Sequence, residues 1–143
     1  MRPRIKVLEP ELYADDSFEV KHPGDAGVDL RARTSHNLKQ GETVRIPLGV
    51  AVTVGSEFLY GMVGSRSSTL EKFGLLTQEG KIDSGYTGEI HLIAYAVRDT
   101  LIARGDRIAQ LLIVRIRRPD WMVVDELDTT VRGAAGFGST GAA

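Results

Sequence analysis

Apolar residues along this chain fall in short runs that alternate with polar positions and break at glycine or proline, the pattern of strands joined by turns. Runs at 5–8, 43–46, 50–54, 58–63, 90–96, 108–116 and 122–124 predict strands. In 90–96, Ile90, Leu92, Ala94 and Ala96 share one face, while His91, Ile93 and Tyr95 share the other. A strand apolar on both faces is covered on both. This predicts a sandwich or barrel, or a subunit contact on one side. One short helix is expected at 68–73, where Ser68 and Glu71 have capping-box spacing and Gly74 supplies a left-handed stop.

The 143 residues suit one domain. No cysteine is present, which excludes disulfides and thiolate metal sites. The three histidines, His22, His36 and His91, have no zinc-site spacing. Eighteen basic and nineteen acidic residues leave a net charge of −1. That balance argues against nucleic-acid or membrane partners but permits a local cationic pocket. No apolar run approaches the ~20 residues of a membrane helix, and residues 1–6 lead into no signal segment. The expectation is a soluble, intracellular protein, cytoplasmic or in a host's cytoplasm if viral.

Composition shifts once, near the end. Residues 1–131 read as a β domain; 132–143 hold one charge, one aromatic (Phe137) and otherwise small residues. Such a segment cannot bury enough apolar surface to order alone, so it is expected to be a flexible arm that orders on something else.

Candidate chemistry sits in four places. Arg66, Ser67 and Ser68 at a helix entrance combine a fixed charge, hydroxyls and free amides, which suits a phosphate or equally a simple cap. Residues 80–89 (GKIDSGYTGE) predict a hairpin turning at Gly85 and Gly88, with Asp83 before the turn and Tyr86 after it. Asp29, an isolated acid in an apolar stretch, needs a cation, an arginine partner or hydrogen bonds. Gln110, mid-strand among aliphatics, needs backbone or ligand partners.

Taken together, AGVDL (26–30), the Arg66-Ser67-Ser68 run, GKIDSGYTGE (80–89), GDRIAQ (105–110) and RGAAGFGSTG (132–141) resemble, in order and spacing, the five motifs of the homotrimeric dUTPases. The resemblance implies a distorted jelly roll or β-barrel with one short helix. It also implies hydrolysis of dUTP to dUMP and pyrophosphate by magnesium-assisted water attack on the α-phosphate. That activity keeps uracil out of DNA and supplies dUMP for dTMP synthesis. Active sites would be shared between the subunits of a trimer. Carried over by motif, Asp29 would organise water around magnesium, which the substrate phosphates mainly hold. Arg66, Ser67, Ser68 and Gln110 would hold the phosphate chain. The backbone of Gly80, Lys81 and Ile82, with that around His91, would read uracil. Asp83 would hold the attacking water and the sugar 3′-hydroxyl, and Tyr86 would lie under the deoxyribose. Arg132, Gly138, Ser139 and Thr140 would grip the γ-phosphate while Phe137 covers the base.

The chain departs from the family pattern in places. Thr69-Leu70-Glu71-Lys72 replaces a small aliphatic run, the stretch 74–80 is shorter than in some relatives so that no base-contacting residue carries over there (Thr77 is a candidate), and Ala134-Ala135 stands where a glycine is common. Two alternatives remain: a dCTP deaminase-like enzyme of the same fold, or a regulatory nucleotide-binding protein.

Overall fold

The structure, a computed structural model, describes residues 2–15 and 18–134. In chain order the elements are β1 (Arg4–Val7), a 3-10 helix (Pro10–Tyr13), β2 (Val28–Arg31), β3 (His36–Leu38), β4 (Thr43–Thr53), β5 (Leu59–Ser65), α1 (Thr69–Phe73), β6 (Leu75–Thr77), β7 (Gly80–Ile82), β8 (Glu89–Ala96), β9 (Thr100–Ile102) and β10 (Arg107–Arg115). One sheet runs β1-β4-β8-β6 and a second β2-β10-β5-β7, with β3 and β9 forming a separate ribbon. Every pairing is antiparallel. The sheets are not closed into a barrel; the jelly-roll part of the expectation holds.

Between the two sheets lies one core, with Ile46, Leu48, Val50, Ile90 and Leu92 from the first and Leu30, Val63, Ile108 and Ala109 from the second. The alternation read in 90–96 is realised: Ile90, Leu92, Ala94 and Ala96 are buried. On the other face of β8, Ile93 and Tyr95 are exposed.

Several elements differ from the reading of the chain. The runs 43–46 and 50–54 are one strand, β4, which continues through Pro47 by an irregularity in its register with β8. Gly49 N–H donates to Glu89 Oε1 at 2.9 Å there, so a carboxylate completes what the ladder leaves open. Residues 122–124 form no strand. Helix α1 forms and stops at Gly74 (φ 62°), but Ser68 makes no side-chain cap bond. Thr69, the first helical residue, instead accepts from Arg66 N–H at 2.8 Å, which fixes the approach to the helix without capping it. The segment 80–89 is not a hairpin: β7 pairs with β5 and β8 with β4, so the turn between them crosses from one sheet to the other.

The N-terminal 3-10 helix is tied in by Tyr13, whose hydroxyl donates to Leu48 O at 2.6 Å and accepts from Arg31 N at 2.8 Å. Glu9, just before it, pairs with Arg33 and Arg104. The Arg33 hydrogen bond, with Arg104 beside it, holds the Glu9 carboxyl below its usual range.

Candidate active site in two halves

The first half gathers on the β2-β10-β5 part of the second sheet. Register places Gln110 opposite Asp29 on one side and Gly64 on the other. Asp29 Oδ1 accepts from Arg66 Nε at 2.7 Å. Arg66 is held from behind: its Nη1 donates to Arg107 O at 3.1 Å, and its backbone N–H to Thr69 Oγ1. Thr69, fully buried, donates in turn to Ile108 O at 3.0 Å. Helix α1 is thereby fastened to β10 through the residue that also sets the Arg66 backbone. Gln110 Nε2 donates to Ser65 O at 2.8 Å. Asp29, Arg66, Ser67, Arg107 and Gln110 line a cleft of about 690 Å³. Ser68, at the start of α1, does not line it.

Arg107 was not singled out from the sequence, and the reason is geometric. Strict alternation would put residues 107 and 110 on opposite faces of a strand. A register shift between Arg107 and Ala109 breaks that period, and both residues reach the cleft. Arg107 Nε stands 3.9 Å from Asp29 Oδ2.

The second half lies at the far edge of the same sheet. A smaller pocket of about 240 Å³ is lined by Lys81, Ile82, Asp83, Tyr86, His91 and Arg45, among others. Tyr86 N–H donates to Asp83 O at 3.0 Å, closing the turn after β7. Tyr86 hydroxyl donates to Glu89 O at 2.8 Å, which lays the ring across Gly88. A Cβ at Gly88 would stand 2.5 Å from that hydroxyl, so only glycine lets the ring lie there. His91 Nδ1 is 3.0 Å from Glu89 O. A carbonyl only accepts, so Nδ1 carries a proton and, in the neutral ring, Nε2 is an acceptor. Ile82, which lines this pocket, has a buried side chain, whereas Asp83 is exposed.

Among the described residues these halves do not meet within one chain. Asp29 and Asp83 lie at opposite edges of the sheet, three strand spacings apart and offset by about four residues along it. That separation is on the order of 20 Å. Among the described residues, none lines both pockets. Arg132 is exposed near the end of the described chain; Phe137, Gly138, Ser139 and Thr140 lie outside the described residues.

Among the described residues no group of three or more His, Asp or Glu could hold a metal unaided. Asp29 is the exception to a purely internal use of charge: Oδ1 is taken by Arg66, while Oδ2 has Lys21 and Arg107 only at 3.9 Å. One carboxylate oxygen without a hydrogen bond at the edge of this cleft fits a hard cation that draws most of its ligands from a bound ligand and water.

A family model described as dUTPase matches residues 15–141. The chain belongs to the dUTPase family. Deoxyuridine 5′-triphosphate nucleotidohydrolase of Nocardia farcinica is 44% identical over 127 residues, covering 84% of this chain and 75% of that protein. The enzyme of the same name from Ectopseudomonas mendocina is 37% identical and spans 96% of each chain. Among solved structures, the dUTPase of Staphylococcus bacteriophage 80alpha with dUPNHPP superposes with a TM-score of 0.84 at 29% identity, covering 98% of each chain. A mutant dUTPase from phage phi11 of S. aureus, described as showing the coordination of a structural Mg(II) ion, matches at 0.77 and 25% identity, covering 90% of this chain and 100% of that one.

Proposed function

We propose that this chain hydrolyses dUTP to dUMP and pyrophosphate at sites assembled between the subunits of a homotrimer. Membership of the dUTPase family and the nucleotide analogue on the phage relative support the substrate. The distance between the two halves supports the sharing. A group that aims water must stand within hydrogen-bond reach, or one water, of the reacting phosphate. Asp83 cannot do so for phosphates held by Arg66 and Gln110 some ~20 Å away in its own chain. A second subunit resolves this by bringing its β7 edge to the first subunit's cleft.

The surface is consistent with such association. Trp121, Met122 and Val123, on a segment without secondary structure, are 82, 83 and 97% exposed, and the open face of β8 adds Ile93 and Tyr95. Apolar surface of this extent on a monomer marks a contact.

In this reading Arg66, Ser67, Ser68 and Gln110 hold the phosphate chain, and the Asp29–Arg66 pair keeps the guanidinium pre-set. The backbone of residues 80–82 and that around His91 recognise uracil; fixed donors and acceptors would be left unpaired by cytosine. Tyr86 fills the place of a 2′-hydroxyl beneath the sugar. Asp83 orients the attacking water. Alignment of that water is the larger part of its role. Magnesium, held mainly by the phosphates with Asp29 acting through water, would supply stabilisation of charge on the departing pyrophosphate. Residues 132–143 form the arm: Arg132, Gly138, Ser139 and Thr140 close on the γ-phosphate and Phe137 on the base.

No described helix is long and apolar enough to cross a membrane, and a cytoplasmic site of action accords with that. The test is pyrophosphate release from dUTP, UTP, dCTP and dTTP, with magnesium and then with chelator. Release from dUTP alone, abolished by chelator, is expected. Ammonia from dCTP would instead mark a deaminase, and binding of dUTP without turnover a regulatory protein.

A further inference from the structure

Lys21 has no part in the roles above, yet it lines the same cleft as Arg66, Ser67 and Gln110. Its ammonium is 3.9 Å from Asp29 Oδ2, beyond hydrogen-bond length, and its side chain is 55% exposed. Other acids line the cleft: Asp15, Glu19 and Asp25. Asp25 is engaged by His22, accepting from its backbone N–H at 2.9 Å with the ring at 3.4 Å. Among the described residues, Lys21 has Asp29 as its ion-pair partner, at 3.9 Å. Arg66 already binds that carboxylate at 2.7 Å. Three cations thus share one acid: Arg66 holds it at 2.7 Å, while Lys21 and Arg107 stand at 3.9 Å.

An ammonium on a four-carbon stem, held loosely at the rim of a phosphate cleft, gains more from a polyanion than from a carboxylate already bound to arginine. We propose that Lys21 is a further phosphate-binding residue of this site, engaging the triphosphate chain of the nucleotide with Arg66 and Gln110. This rests on the proposed function and adds a contact to it. The residue acts through charge at a distance from the reacting phosphorus, so it affects binding more than the chemical step.

Lys21→Met and Lys21→Arg test this. The side chain is largely exposed, so Met leaves no cavity and the thermal midpoint should match that of the unmodified protein. Lys21→Met should raise KM for dUTP roughly 5- to 20-fold with kcat within about twofold, as for loss of one partly exposed charge-assisted contact. Its KM should depend less steeply on salt. In chelator, binding of a non-hydrolysable imido analogue of dUTP should weaken by a similar factor, and Lys21→Arg should restore most of both. KM within twofold of the unmodified protein, a fall in kcat at constant KM, or no rescue by arginine would each overturn the proposal. If the unmodified protein itself releases no pyrophosphate from dUTP, the proposed function fails and the Lys21 role with it; normal turnover with an indifferent Lys21→Met overturns the Lys21 role alone.

Discussion

Asp29 Oδ1 and Arg66 Nε meet at 2.7 Å although 37 positions separate them in the chain. The bond joins the edge strand β2 to the entrance of α1 and sets a guanidinium at the mouth of the cleft. Arg66 is steadied from three sides, by Asp29, by Arg107 O and by Thr69 Oγ1. Substituting lysine keeps the charge but not the fork that makes two side-chain bonds at once. Arg66→Lys should therefore lower kcat/KM for dUTP by about 10²-fold or more, as for removal of a pre-organised donor at a charged transition state. Steady-state pyrophosphate release measures this; a loss below threefold would show that charge alone suffices.

Asp83→Asn removes the carboxylate while keeping the size of the side chain. Tyr86 N–H bonds to Asp83 through its backbone carbonyl, so the turn is retained. The variant should bind the imido analogue of dUTP almost as well as the original and lose about 10²- to 10⁴-fold in turnover. Calorimetry and single-turnover assays separate the two, and turnover at the original rate would defeat the assignment.

Thr69→Val keeps shape and burial and deletes one hydroxyl. The Arg66 N–H and the Ile108 carbonyl lose their partner at a site with no exposed surface. A loss of about 1–3 kcal/mol in unfolding free energy is expected from urea melts. Thr69→Ser should recover most of it, because the oxygen is what matters. A melt unchanged by valine would show that water or another group satisfies both.

Deleting residues 132–143 should leave assembly and thermal midpoint unchanged while turnover falls sharply, since the arm's proposed work is to exclude water and hold the γ-phosphate. Light scattering, a thermal melt and pyrophosphate release on the same preparation distinguish this from unfolding. Full activity would make the arm dispensable.

The chain alone was enough for the class of fold and for the family, because those depend on local regularities. Alternation exposed the strands β5, β8 and β10 and the two ends of β4, and the five motifs are contiguous words that keep their order whatever the packing. The three-residue strands β3, β6 and β9 are too short for a period to show, and they went unread. Only the tertiary structure decided partners. It assigned Asp29 to Arg66 and Gln110 to Ser65 O, where the chain left arginine, backbone and ligand open. It turned an apparent hairpin at 80–89 into a crossing between sheets, since Asp-Ser-Gly turn chemistry is the same whether the next strand pairs with the last one or with another. It brought Arg107 to the face of Gln110 through a bulge that no alternation predicts. Sequence carries periods and turns, which act over a few residues; which strand edges meet is settled by burial of the whole apolar set at once, and that placed the cleft and the Asp83 pocket at opposite edges of one sheet.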